Sequence, residues 1–327
     1  MSGCTQAGKP LISILMAVYE PRLDWLREQL ESLEGQSYPN LRLYVRDDCS
    51  PTVPFEEIEG LVRECIRSFP YEMKRNEKNL GSNGTFEQLT REAEGKYFAY
   101  CDQDDVWLPE KLEVLQEELE KSGALLACSD MFIIDGNGRQ VADSITRVRR
   151  HHVFRSGEGL AKDLLIRNFV TGCTMLVRSE AAKGAIPFCP YMVHDHYIAL
   201  WCGERGAILS VRRPLLRYRL HKSNQTNLLA GVTDKSSYGL IRITGMRKRL
   251  AWLEENFPCG EKLDREIRDA LTWAQAREEN WHHRGGKRTV WKYRRYSLIP
   301  SVFEVFAAGV PECVFQMFLR AAKRNLI

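Results

Sequence analysis

An α/β fold, with a mostly parallel sheet flanked by helices and a helical region toward the C-terminal end, is what this 327-residue sequence predicts. Two observations carry the prediction. In the first half, apolar runs of strand length alternate with segments whose apolar residues recur at helical spacing, which is the rhythm of β-α-β units. Beyond about Lys235 the strand-length runs fade and helical periodicity alone continues.

The elements follow in order. "LISILMAVY" (11–19) reads as the first strand, Leu23 to Leu33 as a helix, and "LRLYVRDD" (41–48) as the second strand. A helix from Phe55 to Ser68, the strand "YEMKRN" (71–76), a helix from Ser82 to Ala93 and the strand "KYFAYCD" (96–102) come next. The following helix is expected from Pro109 to Lys121, because proline is tolerated in a first turn, where its missing N–H has no partner to lose. "ALLACSDMFIID" running into the turn "DGNG" (135–138) reads as a hairpin. Further strands are expected at "FVTGCTMLV" (169–177), "AILSV" (207–211) and "PLLRYRLH" (214–221), with a helix near Asp195 to Gly203. The division expected is a sheet-bearing domain over 1–230 and a helical region over 231–327.

Composition is that of a water-soluble globular chain, with 44% hydrophobic and 28% charged residues. A net charge of +4 is too small to argue for nucleic acid, and no nucleic-acid partner is expected. "MSGCTQAGKP" lacks the charged-then-apolar pattern of a leader, and no run reaches the roughly 18 apolar residues of a membrane span, so a cytoplasmic location is expected. The ten cysteines form no C-x-x-C pair, and several sit in apolar strand-like runs, as reduced packing thiols do. The neighbours His151 and His152, or His282 and His283, lack the spacing of zinc ligands. From His282 to Arg295 there are six Lys or Arg and no acid, followed by a segment rich in Phe, Val and Leu. Two readings stay open for it: an amphipathic surface on an anionic membrane at the inner face of the cell, or helices packed on the first domain or on a second subunit of a homo-oligomer.

The chemistry-bearing residues gather at strand ends, where open α/β sheets bind ligands. Tyr19 and Glu20 follow the first strand, Asp47 and Asp48 the second, and Asp102, Asp104 and Asp105 the fourth. Three carboxylates in one turn repel unless a cation offsets them. Capping of the next helix explains one of them, and a turn with Ser50 and Pro51 is the alternative to ligand binding for Asp47 and Asp48, with binding favoured for Asp48. A calcium loop counted from Asp102 fails, since Val106 occupies a ligand position and Trp107 stands where glycine is needed. A divalent cation, Mg²⁺ or Mn²⁺, held by one or two of these carboxylates and completed by a substrate diphosphate fits better. "NLGSNG" supplies Asn79, Gly81 and Gly84 as a turn ahead of a helix, whose backbone N–H groups could approach a nucleotide.

"LISILMAVYE", "YVRDDCS", "KNLGSNGTFE" and "YCDQDDVWLPEKLE", in that order, resemble the family two inverting glycosyltransferases of GT-A fold, from about Leu11 to Asn227. The form D-Q-D-D-x-W is most similar to the bacterial rhamnosyltransferase branch. The resemblance implies that 1–230 is the catalytic domain. It implies that Ala17, Tyr19 and Glu20 border the nucleotide base and that Asp48 hydrogen-bonds the base ring. Asn79 and Gly81 would approach the nucleotide, Asp102 the ribose, and Asp104 the metal. Asp195 in "YMVHDHYIALW" matches the position of the catalytic base, with an N-cap as its alternative reading. His221 in "YRLHKSNQTN" matches a histidine that reaches the metal or the diphosphate, with Arg217 and Arg219 nearby as anion partners, and Gly172 matches a glycine near the acceptor. The implied activity is transfer of a sugar, L-rhamnose from its dTDP donor, to a glycan or lipid-linked glycan acceptor of a bacterial cell-surface polysaccharide. A nucleotidyltransferase is the first alternative, weakened because "AVYEPRLDW" has no glycine; a non-catalytic nucleotide-binding membrane scaffold is the second.

Overall fold

The computed structural model describes residues 8–149, 151–221, 229 and 231–324. They form two compact units. The first comprises the described residues up to Leu160 with Phe169–Phe188 and Val193–His221; the second comprises Ala161–Asn168, Cys189–Met192 and the described residues after His221. Residue 230, at the expected domain boundary, Cys4, and the Asn227 limit of the resemblance lie outside the described residues.

The first unit runs β1 (Ile12–Val18), α1 (Leu23–Glu34), β2 (Leu41–Asp47), α2 (Phe55–Cys65), β3 (Tyr71–Arg75), α3 (Gly81–Glu92) and β4 (Tyr97–Cys101). The four strands are parallel in the order β3-β2-β1-β4. β1 and β4 are almost entirely buried because helices cover both faces of a parallel sheet, which is why these strands read as unbroken apolar runs. α1 buries Trp25, Leu26, Gln29, Leu30 and Leu33, one stripe at helical spacing, and Leu26 and Leu30 join Ile14, Met16 and Val45 in the core.

The sheet continues through β5 (Val106–Trp107), α4 (Lys111–Ser122), β6 (Leu126–Ile134), β7 (Gln140–Ala142) and α5 (Ile145–Val148). After α6 (Ala161–Leu164), which belongs to the second unit, come β8 (Met175–Arg178), α7 (Ser179–Gly184), α8 (His194–Arg205) and β9 (Ile208–Arg219). β8 lies antiparallel between β4 and β6, β6 pairs parallel with β9, and β6 and β7 form the expected hairpin, so this half of the sheet is mixed.

Four local expectations are corrected. The helix after "DVWLPE" starts at Lys111, not Pro109; the Lys111 N–H closes a turn on the Leu108 carbonyl, and the Pro109 carbonyl accepts from the Ser37 N–H at 2.8 Å. Gly84 lies inside the first turn of α3 instead of in the loop before it. "FVTGCTMLV" is a strand only from Met175, because Gly172–Thr174 turns as a 3₁₀ helix, with Thr171 O accepting from Thr174 N and Oγ1. The two strands expected at 207–221 are one, β9; Pro214 cannot donate to the ladder, and the register against β6 shifts there.

The second unit is helical: α9 (Lys235–Tyr238), a π-helical turn at Gly239–Thr244, α10 (Gly245–Asn256), α11 (Glu261–Trp281), α12 (Lys287–Lys292), α13 (Leu298–Ala307) and α14 (Glu312–Arg324). Tyr238, Trp281 and Phe315 form its aromatic core. Within it Arg277 grips Glu304 through two bonds of 2.6 Å, and Tyr238 OH donates to the same carboxylate at 2.9 Å, so the two buried charges of this pair offset each other.

Candidate active site

Parallel order brings the carboxyl ends of β2, β1 and β4 to one edge of the sheet, and the polar clusters of the sequence meet there. The β1–β2 junction is pinned first. The Asp48 N–H donates to Val18 O at 2.8 Å, and the Asn76 N–H to Asp47 O at 2.8 Å. Asp47 is fully buried; it accepts from Ser50 N and Oγ and pairs with Arg75 Nε at 3.2 Å, so its carboxylate serves the turn. Asp48 Oδ1 accepts from Asn76 Nδ2 at 2.8 Å and from Leu80 N at 2.7 Å. Asp48 therefore ties the start of α3 to the end of β2. At that start Asn79 Oδ1 accepts from Gly81 N at 3.0 Å, and Gly81 has φ +72°, a conformation that favours glycine.

At the β1 exit Tyr19 is exposed and its backbone is bracketed by Gln103, which accepts from Tyr19 N at 2.8 Å and donates to Tyr19 O at 3.0 Å. Gln103 thus fastens the exit of β1, just beyond Ala17, to the acidic turn. The Glu20 carboxylate faces the 50–53 loop, accepting from Thr52 N, Thr52 Oγ1 and Val53 N, and the Thr52 hydroxyl is the main cause of its lowered pKa.

The acidic turn itself holds a contact between distant motifs. His221 Nε2, just beyond β9, lies 2.6 Å from Asp104 Oδ2, 117 residues away in sequence; the rest of that motif, 222–227, lies outside the described residues. Asp105 is fully buried, and its Oδ1 accepts from the Arg219 N–H at 3.0 Å. Arg219 is 1% exposed: its Nε donates to Asp104 O at 2.8 Å and its Nη2 pairs with Glu28. This corrects the expectation that Arg219 is an anion partner, since an interior guanidinium so engaged is a clamp on the loop. Arg217, exposed on β9 opposite Val106, lines a separate hollow of about 430 Å³ with Glu28, Glu31 and Trp107.

Asp195 sits in the first turn of α8, where Val193 is the N-cap, so capping is not its task. Its Oδ2 accepts from Gly172 N at 2.9 Å and its Oδ1 from His196 N at 2.5 Å. Gly172 is required for space: a Cβ there would lie 2.8 Å from His194 Nε2. Burial, then the charges of Asp104 and Asp195, push the Asp102 carboxyl up to about 7. Asp102, Asp104 and Asp195 therefore share one electrostatic environment, while Asp48 joins them through strand order.

Sequence reasoning missed Lys111. It is fully buried, donates from Nζ to Cys173 O at 2.7 Å, and burial lowers its pKa to about 7, opposed by neighbours that include Asp105 and Asp102. The signal was its place in the apolar stripe of α4 with Leu115 and Leu119.

Two donor sets could hold a cation. Asp102, Asp105 and Cys173 have ligand atoms within 4.8 Å of one another. Burial and the adjacent Asp105 carboxylate keep the Cys173 thiol pKa well above its ordinary value, and a protonated thiol suits neither Mg²⁺ nor Mn²⁺. Asp104 and His221, each with side chains 17% exposed, present an oxygen and an imidazole nitrogen that converge and remain reachable from solvent, a donor set that fits such a metal.

Residues 13–183 match glycosyl transferase family 2. The chain belongs to that family. The match ends before Asp195 and His221. An uncharacterized glycosyltransferase of Methanocaldococcus jannaschii is 32% identical over 136 residues, 40% of this chain and 44% of its own length, so the chain spans less than half of that relative. The dTDP-rhamnosyl transferase RfbG of Shigella flexneri is 23% identical over 257 residues, 72% of this chain and 82% of its own. Among solved structures, S. aureus TarS in complex with UDP-GlcNAc aligns with a TM-score of 0.56 at 16% identity, over 96% of this chain and 88% of TarS. The mannosyltransferase PcManGT from Pyrobaculum calidifontis, in complex with GDP-Man and Mn²⁺, aligns with a TM-score of 0.54 at 12% identity, over 97% and 81%. At such identities the likeness establishes the fold: this family 2 chain has the GT-A architecture with a helical C-terminal region. No helix among its described residues is long and apolar enough to cross a membrane.

Proposed function

We propose that this family 2 protein transfers a sugar, L-rhamnose from a dTDP donor, to a hydroxyl of a bacterial cell-surface polysaccharide precursor, inverting the anomeric centre. The observation that carries the reading is the meeting of His221 with Asp104, which joins the two sequence motifs that a diphosphate-binding metal site needs. The likeness to RfbG supports the donor.

Each residue's task follows from its surroundings. Asp48, held rigidly by Asn76 and Leu80, presents a carboxylate edge to the N–H of a pyrimidine base beside Ala17, Tyr19 and Glu20. Asn79 and Gly81 shape the turn that borders the nucleotide, and Asp102 accepts from the ribose hydroxyls. Asp104 and His221 would hold a divalent cation, Mg²⁺ or Mn²⁺, whose charge offsets that of the departing nucleotide diphosphate. Asp195 takes the acceptor's proton: the hydroxyl oxygen bonds to the anomeric carbon as the bond from that carbon to the diphosphate breaks. Two backbone N–H groups hold its carboxylate in place for that step.

The test is incubation with Mn²⁺, a panel of nucleotide sugars and hydroxyl acceptors, measuring the nucleotide released. Release of dTDP from dTDP-rhamnose supports the proposal. Pyrophosphate release would instead indicate nucleotidyl transfer, and turnover of no donor would make the protein a non-catalytic nucleotide binder.

A further inference from the structure

The second unit carries an exposed face that sugar transfer does not use. α13 turns Ser301, Glu304 and Ala307 inward, and α14 turns Phe315 and Leu319 inward. An ordinary surface helix would show polar residues on its other side. Here the outward sides carry large apolar residues as well: Leu298, Ile299 and Phe306 on α13 are 55, 68 and 72% exposed, and Met317 and Phe318 on α14, beside Arg320, are 69 and 49% exposed. Ile299 and Phe306, seven residues apart, lie on one stripe. The Phe318 ring lies 6.1 Å from that of Phe303, so the outward sides of the two helices adjoin.

Charge decides what covers this face. Between Trp281 and Pro311 the chain has a single carboxylate, Glu304, which is fully buried on Arg277. The same stretch holds six Lys or Arg. Arg295 is paired with Asp269 at 2.7 Å, while Arg284, Lys287, Arg288, Lys292 and Arg294 are exposed. Trp291, 53% exposed, lies under the Arg294 guanidinium at 4.7 Å on α12, which packs against α13. A second copy meeting this face about a two-fold axis would set the cations of α12 mostly against cations, since Glu312 is the one exposed acid among the described residues of α12, α13 and α14. A nucleic acid would satisfy the cations but leave the aliphatic side chains against phosphate and sugar. An anionic bilayer surface satisfies both: Leu298, Ile299, Phe306 and Met317 enter the acyl boundary while the cations stay among the headgroups, with tryptophan at the interface.

We propose that α12, α13 and α14 dock this protein on an anionic lipid surface. The proposal is independent of the transferase reading, because it needs neither donor nor turnover. It is tested by sedimenting the full chain with vesicles of equal parts phosphatidylglycerol and phosphatidylcholine, and with phosphatidylcholine alone. Binding to the anionic vesicles is expected, falling about tenfold on the neutral ones and again when salt rises from ~0.1 to ~0.5 M. Ile299→Ser with Phe306→Ser, and separately Lys287→Glu with Lys292→Glu, should each weaken binding at least about tenfold while circular dichroism and the melting temperature stay unchanged, since all four side chains are exposed. Failure of the wild-type chain to bind, or equal binding by folded variants, overturns the proposal. So does a dimer abolished by the same substitutions, or displacement from vesicles by an RNA oligonucleotide at equal charge concentration.

Discussion

His221 Nε2 stands 2.6 Å from Asp104 Oδ2, which links the end of β9 to the end of β4 across 117 residues. If this pair is the cation's seat, Asp104→Asn and His221→Ala should each weaken Mn²⁺ binding on the order of 10–100-fold, with little change in melting temperature, because both side chains reach solvent. Titration calorimetry with Mn²⁺ checks it. Unchanged affinity in Asp104→Asn would remove the pair from metal binding and shift attention to Asp102 and Asp105.

Asp195 is held by Gly172 N and His196 N, and an asparagine side-chain oxygen can accept from one of them. Asp195→Asn should therefore fold and bind nucleotide within a few-fold of wild type, while transfer falls by roughly 10²–10⁴-fold, the usual worth of a general base. Steady-state rates set beside nucleotide affinity separate the two effects. Gly172→Ala acts differently: its Cβ would press on His194 Nε2 at 2.8 Å, costing about 1–3 kcal/mol of stability and displacing Asp195.

How far the sequence reveals such pairs depends on what each residue's position records. The strands β1 to β4 are legible because their burial on both faces writes continuous apolar runs, and the strand-end aspartates are legible because their charge is out of place there. What the sequence hides is set by tertiary contacts. Two-residue β5 is too short for a period, the bend at Gly172 exists to present an N–H to Asp195, and β9 crosses Pro214 because its register with β6 resumes beyond it. Arg219 looks like an exposed cation near an anion site, and strand alternation would give it the face of exposed Arg217, yet it is buried, its guanidinium on Asp104 O and Glu28 and its backbone N–H on Asp105.

Lys111 makes the buried acids tolerable, and its removal should be costly. Lys111→Met leaves the Cys173 carbonyl without its donor and Asp102 and Asp105 without an interior cation. The expected loss is about 3 kcal/mol, read by urea unfolding. Wild-type stability in the variant would show that the carboxylates are compensated elsewhere.

His194 gives the protein a predictable sensitivity to acid. Its ring lies 4.0 Å from Phe86 and 5.2 Å from Tyr100, its Nε2 has no partner, and burial lowers its pKa from 6.5 to about 3. Between those values only the unfolded chain binds this proton. The stability the neutral ring contributes is therefore complete above about 6.5 and is lost as pH falls toward 3, with about 2 kcal/mol gone at about pH 5. Urea unfolding of wild type and His194→Gln at about pH 7.5 and about pH 5 isolates the effect, since every other titrating group is common to both. The wild-type free energy should drop by about 2 kcal/mol more than the variant's between those conditions. Equal drops would mean that the imidazole takes up its proton while still packed between Phe86 and Tyr100, and the ring would then have to reach water or a carboxylate that the folded structure does not place against it.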